Sequence, residues 1–234
     1  MNKPSGLLIV PGRGDEEAPT LREVVESRLP GKVWVVHRLD RETSGAVIFA
    51  KTPEAHRFLN RRFELRQVRK TYLALAEGDI GCDGTLRMPV REFGSGRMGV
   101  GRRGGKPSVT RYRVKERLPG CTLLEVSPET GRRHQIRVHL YAIGHPVMGD
   151  PIYGADRPVG GVARLMLHAL SLSFTHPEGP EMTVEAPPGE DWESVLRSKR
   201  SPPPPPPKNN YELREFRELT PSASPPLKDN YELR

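Results

Sequence analysis

Two segments in the first third of the chain carry apolar residues at the spacing of one helical face. The first begins at Pro19-Thr20 and has apolar residues at positions 21, 24, 25 and 29. The second is predicted over 53–66, where Pro53 occupies a helix N-terminus and three apolar residues share one side. Both patterns predict amphipathic helices that pack one face against a core.

Strands are predicted where short runs are rich in β-branched and aromatic residues. These runs are 33–36, 46–50, 70–78, 108–118, 121–127, 165–176 and 181–186. The run 108–118 alternates with period 2, and a Pro-Gly pair separates it from 121–127, so these two are expected to form a hairpin.

A third helix is predicted after residue 130. Thr130 is a suitable cap, and Arg133 and Arg137 lie four residues apart, so that both are expected on one face. A last amphipathic segment surrounds Trp192. The fold class is therefore predicted to be α+β, with a mixed, mostly antiparallel sheet and few helices.

The composition changes at SPPPPPP, residues 201–207, because a proline run favours an extended polyproline helix and cannot build a core. We expect a folded domain over 1–200 and a disordered tail over 201–234. The tail holds the near-duplicate segments KNNYELR (208–214) and KDNYELR (228–234), which suit docking to an unidentified partner.

The chain is basic, with 37 Lys+Arg against 29 Asp+Glu. The tail has five residues of each sign, so the surplus of +8 lies within residues 1–200. Such a surplus is typical of proteins that bind a polyanion such as RNA, and a solvated basic surface is the alternative. Only two cysteines occur, no run is apolar enough to cross a membrane, and no signal peptide is recognisable, which favours the cytoplasm.

Two local patterns bear on cofactor and metal binding. GVGRRG (99–104) matches GxGxxG, but it lacks the preceding strand and following helix of a dinucleotide site. A basic hairpin loop that brings Arg102, Arg103 and Lys106 close to phosphates is the preferred interpretation, and a nicotinamide-dependent oxidoreductase is the weaker one. The histidines near residue 139 have no carboxylate or thiol to complete a ligand set, so no metal is predicted.

Asp40 stands among cations in VHRLDRETSG (36–45), and local chemistry leaves its role open. It either caps the following turn and pairs with a neighbouring arginine, or it is a carboxylate held ionised for use as a nucleophile or base. Arg133 and Arg137 are likewise either a solvated basic face or a pair that binds phosphate or carboxylate.

Several long motifs resemble, in the right order, those of the RluA-type (RluA/RluC/RluD-like) RNA pseudouridine synthases. HRLDRETSGAVIFAK (37–51) is similar to the family signature HRLDxxTSGxxxxAK. The other matching stretches are NKPSGLLIVPG (2–12), RKTYLALAEG (69–78), GRRHQIRVHLYAIGHPVMGDPIYG (131–154) and LMLHA (165–169).

The resemblance implies roles for particular residues. Asp40 matches the catalytic aspartate, Tyr72 the tyrosine that stacks on the target base, and Arg137 the arginine that pairs with the aspartate. Arg38 matches the residue that fills the space left by the flipped base, and His37 beside it is grouped with the RNA contacts. Leu165 and Leu167 would form an apolar wall of the pocket.

Charge and loop position, and not the resemblance, suggest four phosphate contacts. They are Arg102, Arg103, Lys106 and Arg133.

The resemblance further implies the pseudouridine synthase fold, an active-site cleft across the sheet, no cofactor, and an rRNA or tRNA stem-loop as substrate. We expect a monomer. A catalytically silent RNA-binding or folding factor on the same scaffold is the alternative. Two departures from the family pattern are noted: the strand before NKPSG and an S4-like domain are not seen, and Arg133 replaces a small Thr or Ser.

Overall fold

A computed structural model of the chain describes residues 1–12, 19–154 and 162–201. Its helices are α1 (Leu21–Glu26), α2 (Pro53–Glu64), α3 (Gln135–Ala142) and α4 (Glu190–Arg200). Its strands are β1 (Asn2–Lys3), β2 (Trp34–Val35), β3 (Ser44–Ala46), β4 (Phe49–Ala50), β5 (Arg69–Glu77), β6 (Gly84–Arg87), β7 (Val90–Glu92), β8 (Met98–Val100), β9 (Val109–Leu118), β10 (Cys121–Pro128), β11 (Leu167–Thr175) and β12 (Glu181–Glu185).

Eight of these strands form one central sheet in the order β1-β3-β11-β5-β10-β9-β6, with β12 paired beside β11. β3 and β12 pair with different parts of β11, at His168 and Ala169 for β3 and at Ser171–Thr175 for β12. Among the described residues, the β3–β11 pair is parallel and the other pairs of the sheet are antiparallel. The predicted α+β class with a mostly antiparallel sheet is confirmed.

The first two helices begin where their sequences predicted. Thr20 caps α1 by accepting the backbone N–H of Glu23, and the Glu23 carboxylate in turn accepts the backbone N–H of Thr20. Thr52 caps α2 by accepting the N–H of Ala55, and Pro53 occupies the first turn, where its missing N–H costs nothing.

The start of the third helix was predicted wrongly. α3 begins at Gln135, and its N-cap is His134 in the left-handed region at φ 56°. Thr130 instead uses its hydroxyl to accept the N–H of Val109 and to donate to Gln135 Oε1. Arg133 therefore precedes the helix and does not share a face with Arg137.

The core forms around the middle of the sheet, where Ala74, Leu75 and Ala76 of β5 are fully buried. Leu140 of α3 and Trp192 of α4 pack in the same cluster. A second cluster, near the start of the chain, joins Ile9, α1 and Val47 to β11. Both clusters border the loops that carry the motif residues, so these loops rest on rigid elements.

Two glycines allow close approaches that any side chain would block. Gly45, at φ 114°, lies where a Cβ would be 2.2 Å from the carbonyl oxygen of Ala169 on β11. Gly149, at φ 68°, lies where a Cβ would be 1.9 Å from the carbonyl oxygen of Arg164. The glycines of TSG and MGDP are thus required by backbone packing and by positive φ.

GVGRRG does not form a nucleotide-binding turn. Met98–Val100 is β8, which pairs with β7 across the turn at residues 93–97, and the remaining residues of the motif follow β8 as a loop. The β7–β8 hairpin itself was not predicted.

Residues Met1–Arg200 form one compact unit. The predicted tail lies outside the described residues except for Ser201, so the domain boundary stays a prediction. Among the described residues, no helix is both long enough and apolar enough to cross a bilayer.

Candidate active site

One cavity of about 800 Å³ opens between the loop that follows β2 and the loop between β10 and α3. Its lining includes most of the residues that the sequence singled out. These are His37, Arg38, Asp40, Tyr72, Arg133, Arg137 and Leu167. The volume is within the usual range for small-ligand sites.

At the centre of the cavity, the Arg137 guanidinium bridges two carboxylates. Its Nη1 donates to Asp40 Oδ2 at 3.2 Å, while Nε and Nη2 donate to the two oxygens of Asp150 at 2.7 Å each. The side chains of Arg137 and Asp150 are fully buried, whereas Asp40 is 22% exposed. Asp150 therefore holds the arginine, and the arginine presents its remaining face to a carboxylate that reaches the cavity.

Asp150 is itself fixed by the backbone that follows it. Its Oδ1 accepts the N–H groups of Ile152 and Tyr153 at 2.9 and 3.0 Å. Burial by itself lowers the pKa of Arg137, but the hydrogen bonds and charge of Asp150, followed by Asp40, outweigh it and raise the pKa above its ordinary value. The guanidinium thus stays charged beside Asp40.

Tyr72 lies on β5 and lines the same cavity. Burial, and then the negative charge of Asp40, raise the pKa of its phenol. The hydroxyl consequently stays protonated at neutral pH. It has no hydrogen-bond partner within the described part of the chain, which leaves it free to meet a ligand.

Two histidines at the cavity are neutral at physiological pH. Burial lowers the pKa of His134, whose Nε2 lies 3.8 Å from Asp40 Oδ2, so this contact is not an ion pair at neutral pH. Burial and then the charge of Lys70 lower the pKa of His37 to about 3. His37 Nε2 accepts the backbone N–H of Ile48 at 3.1 Å, and its ring stacks on Phe63 at 4.8 Å.

The loop that carries Asp40 is anchored by Lys3 of the NKPSG motif. No local pattern in the sequence marks this residue. Its buried ammonium donates to the carbonyl oxygens of Pro4, Leu7 and Arg41 at 2.7–2.9 Å. Burial lowers the pKa of Lys3 to about 8. Three carbonyl oxygens satisfy all three donors of the ammonium, so Lys3 joins the backbone after β1 to the backbone beside Asp40.

A second anchor joins the TSG and LMLHA motifs. His168 Nε2 donates to the carbonyl oxygen of Ala186, which leaves Nδ1 to accept the Ser44 hydroxyl at 2.7 Å. Ser44 Oγ in turn accepts Arg164 Nη2 at 2.7 Å. This buried chain of hydrogen bonds holds β3 against β11 directly after the Asp40 loop.

Four of the candidate residues lie elsewhere. Leu165 is 1% exposed in the main core cluster and does not line the cavity, so its place in the pocket wall was predicted wrongly. Arg102, Arg103 and Lys106 follow β8 and do not line the cavity either. Arg133 does line it, and its Nη1 lies 3.4 Å from Glu92 Oε1 on β7.

Asp150 is the functional candidate that sequence reasoning missed. The stretch GHPVMGDPIYG was noted as a shaped loop, but nothing in it indicated that its carboxylate is fully buried against Arg137. Within residues 1–12, 19–154 and 162–201, no group of three His, Cys, Asp or Glu side chains is arranged to hold a metal ion.

Comparison with known proteins finds a match to the family model described as RNA pseudouridylate synthase over residues 1–142. The chain is 41% identical over 182 residues to the dual-specificity RNA pseudouridine synthase RluA of Yersinia pestis, covering 76% of this chain and 88% of that protein. It is 39% identical over 216 residues to the ribosomal large subunit pseudouridine synthase D of Nitrosomonas europaea, covering 86% of this chain and 62% of that protein.

The chain thus spans less than two thirds of the length of that synthase D, and 56% and 54% of two synthases D from Neisseria meningitidis. Among solved structures, human RNA pseudouridylate synthase domain containing 1 superposes with a TM-score of 0.72 at 31% identity. The match covers 95% of this chain and 91% of the human one.

Proposed function

Because the chain belongs to the RNA pseudouridylate synthase family, we propose that it isomerises specific uridines in ribosomal or transfer RNA to pseudouridine. The observation that carries the proposal is the 3.2 Å contact between Arg137 and a partly exposed Asp40 in a cavity that also holds Tyr72. These three residues occupy the positions that match the catalytic aspartate, the stacking tyrosine and the paired arginine in the motifs of the RluA-type synthases.

The proposed reaction needs no external reagent. The bond between N1 of uracil and C1′ of ribose breaks, the base turns, and a new bond forms between C5 and C1′. The proton on C5 is lost and N1 gains one, so atoms and electrons balance. A charged carboxylate is the group required to start this sequence, whether by adding to the sugar, adding to the base or removing a ribose proton.

Arg137 keeps Asp40 ionised and in one orientation, since a fixed positive charge favours the carboxylate over the acid. Asp40 Oδ1 has no hydrogen bond within the described residues, and the side chain is open to the cavity. Tyr72 supplies an aromatic face against which a uracil ring can stack, and its raised pKa keeps the hydroxyl protonated.

The target uridine must leave its stack to enter this cavity, at a cost of a few kcal/mol. Arg38 is exposed at the cavity rim and has no partner in the described part of the chain, which suits the role of filling the vacated space. Leu167 supplies apolar surface within the cavity. We expect the protein to act on RNA as a monomer in the cytoplasm.

The direct test is Asp40→Asn, assayed by release of tritium from RNA that carries 5-tritiated uridine. Tritium release is expected to fall to background, because the amide cannot act as a nucleophile or base. Asp79→Asn is the matched control, since Asp79 is 73% exposed and is not among the residues that line the cavity.

Retained tritium release in Asp40→Asn contradicts the assigned role. If the wild-type protein binds RNA but releases no tritium, and pseudouridine mapping with and without the gene is identical, the silent RNA-binding factor replaces the enzyme.

A further inference from the structure

A second, smaller cavity of about 280 Å³ adjoins the candidate active site. The two cavities share part of their linings and are therefore immediate neighbours. The shared residues are Phe63, Lys70, Thr130, Gly131 and Arg132. The remaining lining residues of the small cavity are Glu64, Arg66, Val68 and Glu129.

The charges around the small cavity do not cancel. Glu64 pairs with Arg61 at 3.4 Å and Glu129 pairs with Arg111, so both carboxylates already have cations of their own. By contrast, Arg66, Lys70 and Arg132 have no carboxylate within salt-bridge distance among the residues that the structure describes. Three cations therefore face this cavity without a neutralising anion.

Arg132 has a buried hydrogen-bond donor that lacks an acceptor. Its Nε is buried and has no hydrogen-bond partner in the described part of the chain. Buried donors in folded proteins are nearly always paired, and the planar guanidinium suits two oxygens of a phosphate. An anion in the cavity would supply the missing acceptor.

Lys70 and Arg66 are positioned to complete the site. The Lys70 ammonium lies close to the backbone of Gly131, the neighbour of Arg132: a Cβ added to Gly131 would be 3.5 Å from Lys70 Nζ. Burial lowers the pKa of Lys70, as expected for an ammonium that lacks a counter-charge. Arg66 lines the same cavity, and its backbone is held at φ 59° by the hydrogen bonds that end α2.

The position of this cluster relative to Tyr72 indicates the ligand. Lys70 and Tyr72 are two residues apart on β5, so they point to the same face of the sheet and their Cα atoms lie about 7 Å apart. One nucleotide can span that distance. A uridine whose base stacks on Tyr72 would place a neighbouring phosphate beside Lys70.

We propose that Lys70, Arg132 and Arg66 form a binding site for a backbone phosphate of the substrate RNA next to the flipped uridine. The identity of the anion as an RNA phosphodiester rests on the proposed function. The site would hold the target nucleotide by its backbone while Tyr72 holds the base.

The test uses the full chain and a fluorescein-labelled 20-nucleotide oligouridylate, with binding measured by anisotropy over a range of NaCl concentrations. Each phosphate contact on single-stranded RNA contributes about 0.7 to the slope of log K against log salt. Arg132→Gln and Lys70→Gln are each expected to reduce the slope by about that amount. Arg57→Gln is the matched control, because Arg57 is 69% exposed on α2 and pairs with Glu54; its slope should equal that of the wild type.

A second arm locates the phosphate. A stem-loop RNA in which the protein forms pseudouridine is made with one neutral methylphosphonate beside the target uridine. The substitution is expected to weaken binding by the wild type and to leave binding by Arg132→Gln unchanged. Circular dichroism checks folding, and if Arg132→Gln is unfolded, the exposed Arg66→Gln gives the same comparison.

Equal slopes for the wild type, Arg132→Gln and Lys70→Gln overturn the phosphate site, even when tritium release shows that the enzyme is active. Reduced slopes in a protein that releases no tritium support the site and contradict the proposed activity. If inorganic phosphate binds and Arg132→Gln abolishes that binding without changing the RNA slope, the cavity takes a free anion and the RNA assignment is wrong.

Discussion

Asp150 and Asp40 both contact Arg137, but their surroundings give them different tasks. Asp150 is fully buried and accepts two hydrogen bonds from Arg137 and two from the backbone. Asp40 is partly exposed and shares one longer hydrogen bond. We infer that Asp150 maintains the position of the guanidinium and Asp40 uses it.

This difference predicts a large loss of stability for Asp150→Asn and a small change for Asp40→Asn. Asp150→Asn leaves Arg137 buried without its main counter-charge, and removing one partner of a buried pair costs about 3–5 kcal/mol. Asp40→Asn leaves the Asp150 pair intact, so the free energy of unfolding should change by no more than about 1 kcal/mol. Urea unfolding measures both, and equal destabilisation by the two changes would contradict the division of tasks.

The residues that a family motif marked lie together in the structure, and their catalytic roles stay predictions. Asp40, Tyr72 and Arg137 line one cavity although they are distant in sequence. Leu165 was misplaced because it precedes β11, which begins at Leu167: Leu167 lines the cavity, whereas Leu165 lies in the chain before the strand and packs in the core. Asp150 was missed because burial cannot be read from one carboxylate in a loop.

At the scale of elements, the loop between β10 and α3 supplies one wall of the candidate active site. Thr130 and Gln135 hold it in place. Gln135 Nε2 donates to the carbonyl oxygen of Val109 and to Thr110 Oγ1 at 3.0 Å each, while its Oε1 accepts from Thr130. The loop is thus attached to β9 through side chains.

Thr130→Val tests this attachment. The change keeps the shape of the side chain but removes the acceptor for the Val109 N–H and the donor to Gln135, and both lost partners are buried or half-buried. The free energy of unfolding should fall by about 1–3 kcal/mol. Thr85→Val is the matched control, because Thr85 is exposed on β6 and should change stability by less than about 0.5 kcal/mol. A cost for Thr130→Val equal to that of the control would show that the loop is held by other contacts.

The same contacts explain why the helix boundary was wrong. Threonine is a good cap, but the Thr130 hydroxyl is engaged with β9, and a left-handed His134 makes the turn into α3. The β7–β8 hairpin was not predicted because each of its strands has only three residues and the sequence around them is rich in glycine. The longer strand β9 was predicted from its alternation and β10 from the Pro-Gly turn before it, and the structure confirms the hairpin.

At the scale of the whole molecule, the sequence predicts that the fold ends near residue 200. Truncation after Arg200 should therefore leave the midpoint of thermal unfolding and the rate of tritium release from a short RNA unchanged. The removed residues carry no net charge, so the salt dependence of RNA binding should also be retained. Loss of folding in the truncated protein would show that the boundary is misplaced.

The overall fold class followed from the pattern of strands and helices, but the strand order did not. β3 and β11 are parallel neighbours more than a hundred residues apart, and their pairing was not predicted. What joins them in the structure is a close backbone approach at Gly45 and the buried Ser44–His168 hydrogen bond. Such contacts depend on the whole chain and leave no local pattern.

The bridge from Arg137 to Asp40 and Asp150 can form only after most of the chain has been synthesised. Asp40 leaves the ribosome first, Arg137 follows 97 residues later, and Asp150 follows 13 residues after that. A nascent chain that exposes only its first half contains the carboxylate without the cation that orients it. We infer that Asp40 stays without its orienting cation until the chain has been synthesised past Asp150 and has folded.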